Sequence, residues 1–95
     1  MNTLHIVRQS AFATNDFTQC IQVLNAADLI VFTDDGCYNL THQSIKQVSE
    51  QVKLMVITEH VNARAIDIVG TKATAITMND LVALTFQTDR VITWQ

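Results

Sequence analysis

The chain has 95 residues, 48% of them hydrophobic and 16% charged, with a net charge of -3 and a mean hydropathy of +0.19. Its six basic residues are scattered rather than gathered into a stripe, which argues against direct nucleic-acid binding, since several phosphates would have to be neutralised together. No apolar run approaches the ~18–20 residues of a membrane span, and no basic-plus-apolar leader opens the chain, so one cytoplasmic domain over residues 1–95 is expected.

In chain order, Thr3-Leu4-His5-Ile6-Val7-Arg8 is a β-prone run that stops at the polar Gln9-Ser10, and the first strand is placed there. Thr14-Asn15-Asp16 supplies capping side chains and an acidic first turn, and Phe17, Cys20, Ile21 and Leu24 then recur at helical spacing. This predicts a helix with one buried face, on which Cys20 lies. Leu29, Ile30, Val31 and Phe32 are apolar at successive positions, the mark of a strand covered on both sides in a parallel sheet flanked by helices. It is expected to be the central strand, and its carboxyl end runs into Thr33-Asp34-Asp35-Gly36-Cys37. Ligands and partners gather at the carboxyl ends of such strands, which makes that turn the first candidate for function.

Residues 38–51 contain neither Gly nor Pro, and Leu40, Ile45 and Val48 recur loosely, so one helix is expected there, broken near Thr41. Residues 53–58 repeat the apolar-run pattern of a strand, and 59–66 are helix-compatible with Val61 and Ile66 to pack. Gly70 marks a turn. A short strand over 74–77, a helix capped by Asn79 or Asp80 and carrying Leu81, Val82, Leu84 and Thr85, and an edge strand over 91–94 complete the chain. Strands alternating with helices predict an α/β fold with right-handed crossovers. A domain this small buries only ~60–65% of the surface its unfolded chain exposes, so this apolar a composition predicts surface left for a partner.

Among residue types that carry chemistry, His5, His42 and His60 show no metal-ligand spacing and no Ser-His-Asp logic. His5 reads as a satisfied histidine at a strand. With Gly36 and Gly70 the only glycines, there is no phosphate-cradling loop, so no flavin, nucleotide or other cofactor is expected. The pair Asp34-Asp35 reads as a solvated turn. A phosphoacceptor of the response-regulator kind would need an acidic pair after the first strand and a late lysine, which this chain lacks. Trp94 is either a core plug on the edge strand or an interface anchor.

Leu4-His5 followed by Ser10-Ala11-Phe12, the Asp35-Gly36 turn after an apolar strand, Ala63-Arg64 after the third strand, Asp80-Leu81-Val82 with Leu84-Thr85, and the terminal Trp94 together resemble the TusB/DsrH family of sulfur-relay subunits. The resemblance covers essentially the whole chain. It departs where the family often has Pro at Ala11 and Gly at Ala65. It implies a flavodoxin-like three-layer domain with a mostly parallel central sheet, of the DsrEFH-like kind, that joins TusC-like and TusD-like subunits in a heterohexamer. Sulfur would travel as cysteine persulfide from a TusA-like donor through the complex to a TusE-like acceptor, toward the 2-thio group of tRNA wobble uridines. The carrier cysteine of that relay belongs to the TusD-type subunit, which implies a structural or accessory role for this chain. The Dsr branch of the family instead serves dissimilatory sulfur oxidation.

A persulfide carrier needs an accessible thiolate of low pKa. Cys20, on an apolar helix face, reads as a small buried hydrophobe, although some DsrH-like members carry a cysteine at the equivalent place. Cys37 lies at the functional edge but beside Asp34 and Asp35, whose charges raise a thiol pKa. Both are weak candidates for a catalytic role. The expectation is therefore an accessory sulfur-relay subunit, with a sulfurtransferase using Cys20 or Cys37 as the rival and a small ligand-binding module as a third reading.

Overall fold

The computed structural model describes residues 2–95. Five strands, β1 (Thr3–Val7), β2 (Leu29–Phe32), β3 (Lys53–Ile57), β4 (Thr74–Ile76) and β5 (Arg90–Trp94), form a single sheet in the order β4-β3-β2-β1-β5. Every pairing is parallel. The Leu29–Phe32 run is the middle strand, between β1 and β3, and β5 lies at an edge against β1 alone. The fold is a flavodoxin-like α/β domain, as the family resemblance implies.

The strand order dictates the layers. Steps from β1 to β2, β3 and β4 all move the same way across the sheet, and right-handed crossovers then place every connection on one face. That face carries α1 (Asp16–Gln22), two 3-10 segments (Asp34–Thr41 and Gln43–Gln47) and α2 (Thr58–Ala63). They enclose the larger core, built on Val7, Phe17, Ile30, Phe32, Leu54, Val56 and Val61, with Phe17 and Phe32 edge-to-face at a centroid distance of 5.3 Å. Only the step from β4 back to β5 runs the other way. Its helix α3 (Met78–Gln87) covers the opposite face alone, seating Leu81 and Leu84 over Leu4, Val31, Met55 and Ile57.

Three elements differ from expectation. The single helix over 38–51 is replaced by the two 3-10 segments, separated at His42. Buried residues of the first segment recur three apart, Gly36 with Asn39 and Cys37 with Leu40, which suits the threefold period of a 3-10 helix and not the 3.6 of an α-helix. The His42 side chain then restarts the chain by accepting the Ser44 N–H at 3.0 Å. The last helix is capped by Thr77 rather than Asn79 or Asp80. Thr77 Oγ1 accepts the Asp80 N–H at 3.1 Å, while Asp80 Oδ2 accepts the Thr77 N–H at 3.0 Å, a reciprocal capping box that starts the helix at Met78. The first helix ends at Gln22, and Asn15 holds its N-cap position without a side-chain cap bond.

Candidate functional site

At the carboxyl edge of the sheet, β1 delivers Arg8, the turn after β2 delivers Asp34 to Cys37, and α2 delivers His60 and Arg64. Gly36 fixes how these meet. Its N–H donates to Thr33 O at 2.8 Å and Arg8 O at 2.9 Å, and a Cβ there would lie 2.0 Å from Val7 O. No other residue allows β1 and the acidic turn to approach so closely. Asp34 has a φ of 50°, a left-handed conformation that Asp tolerates better than most residues. Its N–H donates to His60 Nδ1 at 2.9 Å.

Each carboxylate of the turn faces an arginine. Arg8 Nε donates to Asp34 Oδ2 at 3.4 Å, and Arg64 Nε donates to Asp35 Oδ1 at 3.0 Å while its Nη1 reaches His60 O at 3.2 Å. Asp34 and Asp35 are exposed at 45% and 61%, so these pairs organise the surface more than they stabilise it. Among the described residues, no group of three or more His, Cys, Asp or Glu gathers in a way that could hold a metal ion.

The thiol of the same turn points the other way. Cys37 is fully buried, with its Sγ donating to Phe32 O at 3.5 Å. Burial pushes the thiol up to about 11, against the pull of the Arg64 charge and with Asp34 and then Asp35 adding to the rise. Desolvation, rather than the flanking carboxylates, is therefore the dominant influence, and Cys37 does not occupy an open helix amino terminus. Cys20 is equally buried on the inner face of α1. There burial, with the nearby Asp28 charge adding, lifts the thiol to about 12. On the order of 10⁻⁴ of Cys37, and less of Cys20, would be thiolate at neutral pH.

Trp94 is half-buried against the larger core, and its indole Nε1 donates to His5 Nδ1 at 3.1 Å. An indole N–H can only donate, so Nδ1 accepts and the His5 proton sits on Nε2. From there it is donated to Asp28 Oδ2 at 2.9 Å. Asp28 also accepts from the Thr3 N–H at 3.0 Å and the Asn25 N–H at 3.1 Å. His5 is thus the satisfied histidine its setting suggests, and Trp94 has a core attachment. Two anchoring residues escape the reading of the sequence. Asp28 has a weak local signal, an acid placed directly before a buried strand. Asn39 has none: it is fully buried, with Oδ1 accepting the Ala11 N–H at 2.7 Å and Nδ2 donating to Gln9 O at 3.1 Å.

Comparison with known proteins decides what this arrangement belongs to. Residues 9–91 match the model of the family described as DsrH like protein. The chain belongs to the DsrH-like family. A search of curated proteins yields no match. Membership ties this DsrH-like chain to sulfur relay in general, and the matched span holds Cys20, Cys37 and every residue of the carboxyl-edge cluster except Arg8. In a DsrH-like chain built this way, the carboxyl edge of the sheet presents ion-paired side chains outward and keeps the Cys37 sulfur inside. None of the helices described is long and apolar enough to cross a membrane.

Proposed function

We propose that this DsrH-like chain is an accessory subunit of a TusBCD-like sulfur-relay complex, holding a TusD-type carrier in place while sulfur passes toward 2-thiolation of tRNA wobble uridine. The observation that carries this reading is the burial of both thiols, each raised well above the ordinary cysteine range. A persulfide relay hands sulfur between accessible thiolates. A chain that encloses its cysteines serves such a relay through its surface. TusC-like and TusD-like subunits, with a TusA-like donor and a TusE-like acceptor acting through the complex, are the partners this reading requires.

The test measures 2-thiouridine in digested tRNA from a deletion strain complemented with wild type or with Cys20→Ala/Cys37→Ser. Alanine suits Cys20 because its site is an apolar helix face, and serine suits Cys37 because a hydroxyl can keep the bond to Phe32 O. Deletion should remove most of the 2-thiouridine and both forms should restore it. Rescue by wild type alone, with the double variant shown to assemble normally, would establish that a cysteine of this subunit carries sulfur. If deletion leaves tRNA thiolation unchanged, the tRNA branch of this reading is wrong.

A further inference from the structure

At the edge of the sheet opposite the acidic turn, where β3 begins, lies a cleft lined by neither cysteine. Its volume is about 370 Å³, within the range of small-molecule sites. Its floor is apolar, formed by Leu40, Ile45, Val48 and Leu54, and Lys46 and Lys72 line it as well. Two of the six cationic side chains of a chain of net charge -3 thus border one apolar cleft.

The loop carrying Lys72 is shaped for its position. Gly70 takes a φ of 84°, open only to glycine without strain, and Thr71 ties back through its N–H and Oγ1 to Ile68 O at 3.0 and 2.6 Å. Lys72 Nζ already donates to a carboxylate, Glu50 Oε1, at 2.9 Å. Both side chains of that pair are well exposed, at 62% and 86%, so an incoming carboxylate competes with a weakly held one. Lys46 takes part in no ion pair among the described residues.

We propose that this cleft binds a small amphipathic carboxylate, with an apolar chain on the Leu40–Ile45–Val48–Leu54 floor and its carboxylate between Lys46 and Lys72. A neutral apolar ligand would leave both ammonium groups unused. A phosphate or nucleotide would set a polar, multiply charged group against four aliphatic side chains, with no arginine fork to receive it. A monoanion on an apolar stem satisfies both halves of the site. The site is independent of the sulfur reading, since it uses neither cysteine nor any residue of the acidic turn.

The experiment titrates the full ¹⁵N-labelled chain at pH 7 with octanoate, octanol and acetate and follows the amide spectrum. Octanoate should saturate, shift the amides of Ser49, Thr71 and Lys72, and bind about tenfold more tightly than octanol, while acetate should produce no saturable shift. Lys46→Met with Lys72→Met keeps the apolar stems and should abolish the advantage of octanoate over octanol. Glu50→Gln frees Lys72 and should tighten octanoate severalfold. Equal binding of octanoate and octanol by the wild type, shifts centred on α3 instead of the cleft, or no saturable response to octanoate would overturn the proposal.

Discussion

At the scale of single residues, buried polar side chains tie together segments that the apolar cores bring side by side, with partners mostly distant in sequence. Asp28 shows the balance. Burial pushes its carboxyl upward, but the hydrogen bond from His5 and those from the Asn25 and Thr3 N–H groups outweigh it and hold the carboxyl below the usual value. A group depressed on folding contributes stability that is present above its unfolded pKa and lost as the pH falls through the folded one. Asp28→Asn should therefore cost about 1–3 kcal/mol at pH 7, because the amide keeps one acceptor oxygen of two and its NH2 has to face a donor, either the Thr3 N–H or the His5 Nε2–H and Asn25 N–H. It should also flatten the acid limb of stability below roughly pH 4. Denaturant unfolding of both forms from pH 7 down to pH 2 measures this, and parallel limbs would show that Asp28 is not the titrating anchor. The two thiols give a second residue-scale expectation: iodoacetamide at pH 7.5 should leave Cys20 and Cys37 unlabelled in the folded chain and label both in denaturant. Rapid native labelling of Cys37 would contradict its burial.

At the scale of elements, α2 closes with a Schellman turn that contains a misfit. The Ile66 N–H donates to Val61 O at 2.9 Å and the Ala65 N–H to Asn62 O at 3.2 Å, with Val61 and Ile66 both packed on the larger core. That motif places its C′ residue in the left-handed region, and Ala65 is there with a φ of 53°, although glycine is the usual occupant. A non-glycine residue in this conformation is strained by about 1–2 kcal/mol. Ala65→Gly should therefore raise stability by roughly 1 kcal/mol, less whatever the greater freedom of glycine in the unfolded chain takes back. A thermal melt shows the outcome, with a lower midpoint refuting the strain. The acidic turn after β2 behaves oppositely, since Gly36 is already the residue its geometry needs. Gly36→Ala, whose Cβ would meet Val7 O at 2.0 Å, should cost about 2 kcal/mol or more, because backbone has to move. Chemical denaturation reads that loss directly.

At the scale of the whole molecule, the two faces of the sheet are unequally clothed. The accessible surface of 5480 Å² is what a compact domain of this mass presents, roughly 5500 Å². The apolar composition therefore shows in where surface lies rather than in how much there is. On α3, Met78, Val82 and Phe86 recur four apart and are exposed at 45%, 52% and 85%, and Val91 on β5 is 41% exposed. A stripe of this kind on the only helix that covers its face among the described residues is where a subunit partner would add cover. In isolation the chain should self-associate in light scattering at micromolar concentration, and Val82→Lys with Phe86→Lys should leave it folded and monomeric. The same double variant should fail to join TusC-like and TusD-like subunits. A wild-type chain that stays monomeric and ignores both would remove assembly from the proposed function.

The sequence by itself determined the strands, the α/β class and the place of the acidic turn, because continuous apolar runs ended by polar residues are local signals of burial on both faces, whereas it was the structure that made every pairing parallel. Leu29–Phe32 could be read as the central strand from four side chains. Tertiary structure decided what happens at the ends of those strands. Cys37 and Asp35 are two residues apart, yet one is sealed in the core and the other lies on an arginine, because the close approach of β1 at Gly36 winds the turn into a 3-10 segment rather than an open helix start. His5 meets Asp28 and Trp94 across 23 and 89 residues, contacts created only when the crossovers bring β1 between β2 and β5. Hydrophobic periodicity carries information over one or two turns of chain, whereas hydrogen-bond partners of buried polar groups are chosen by which strands become neighbours.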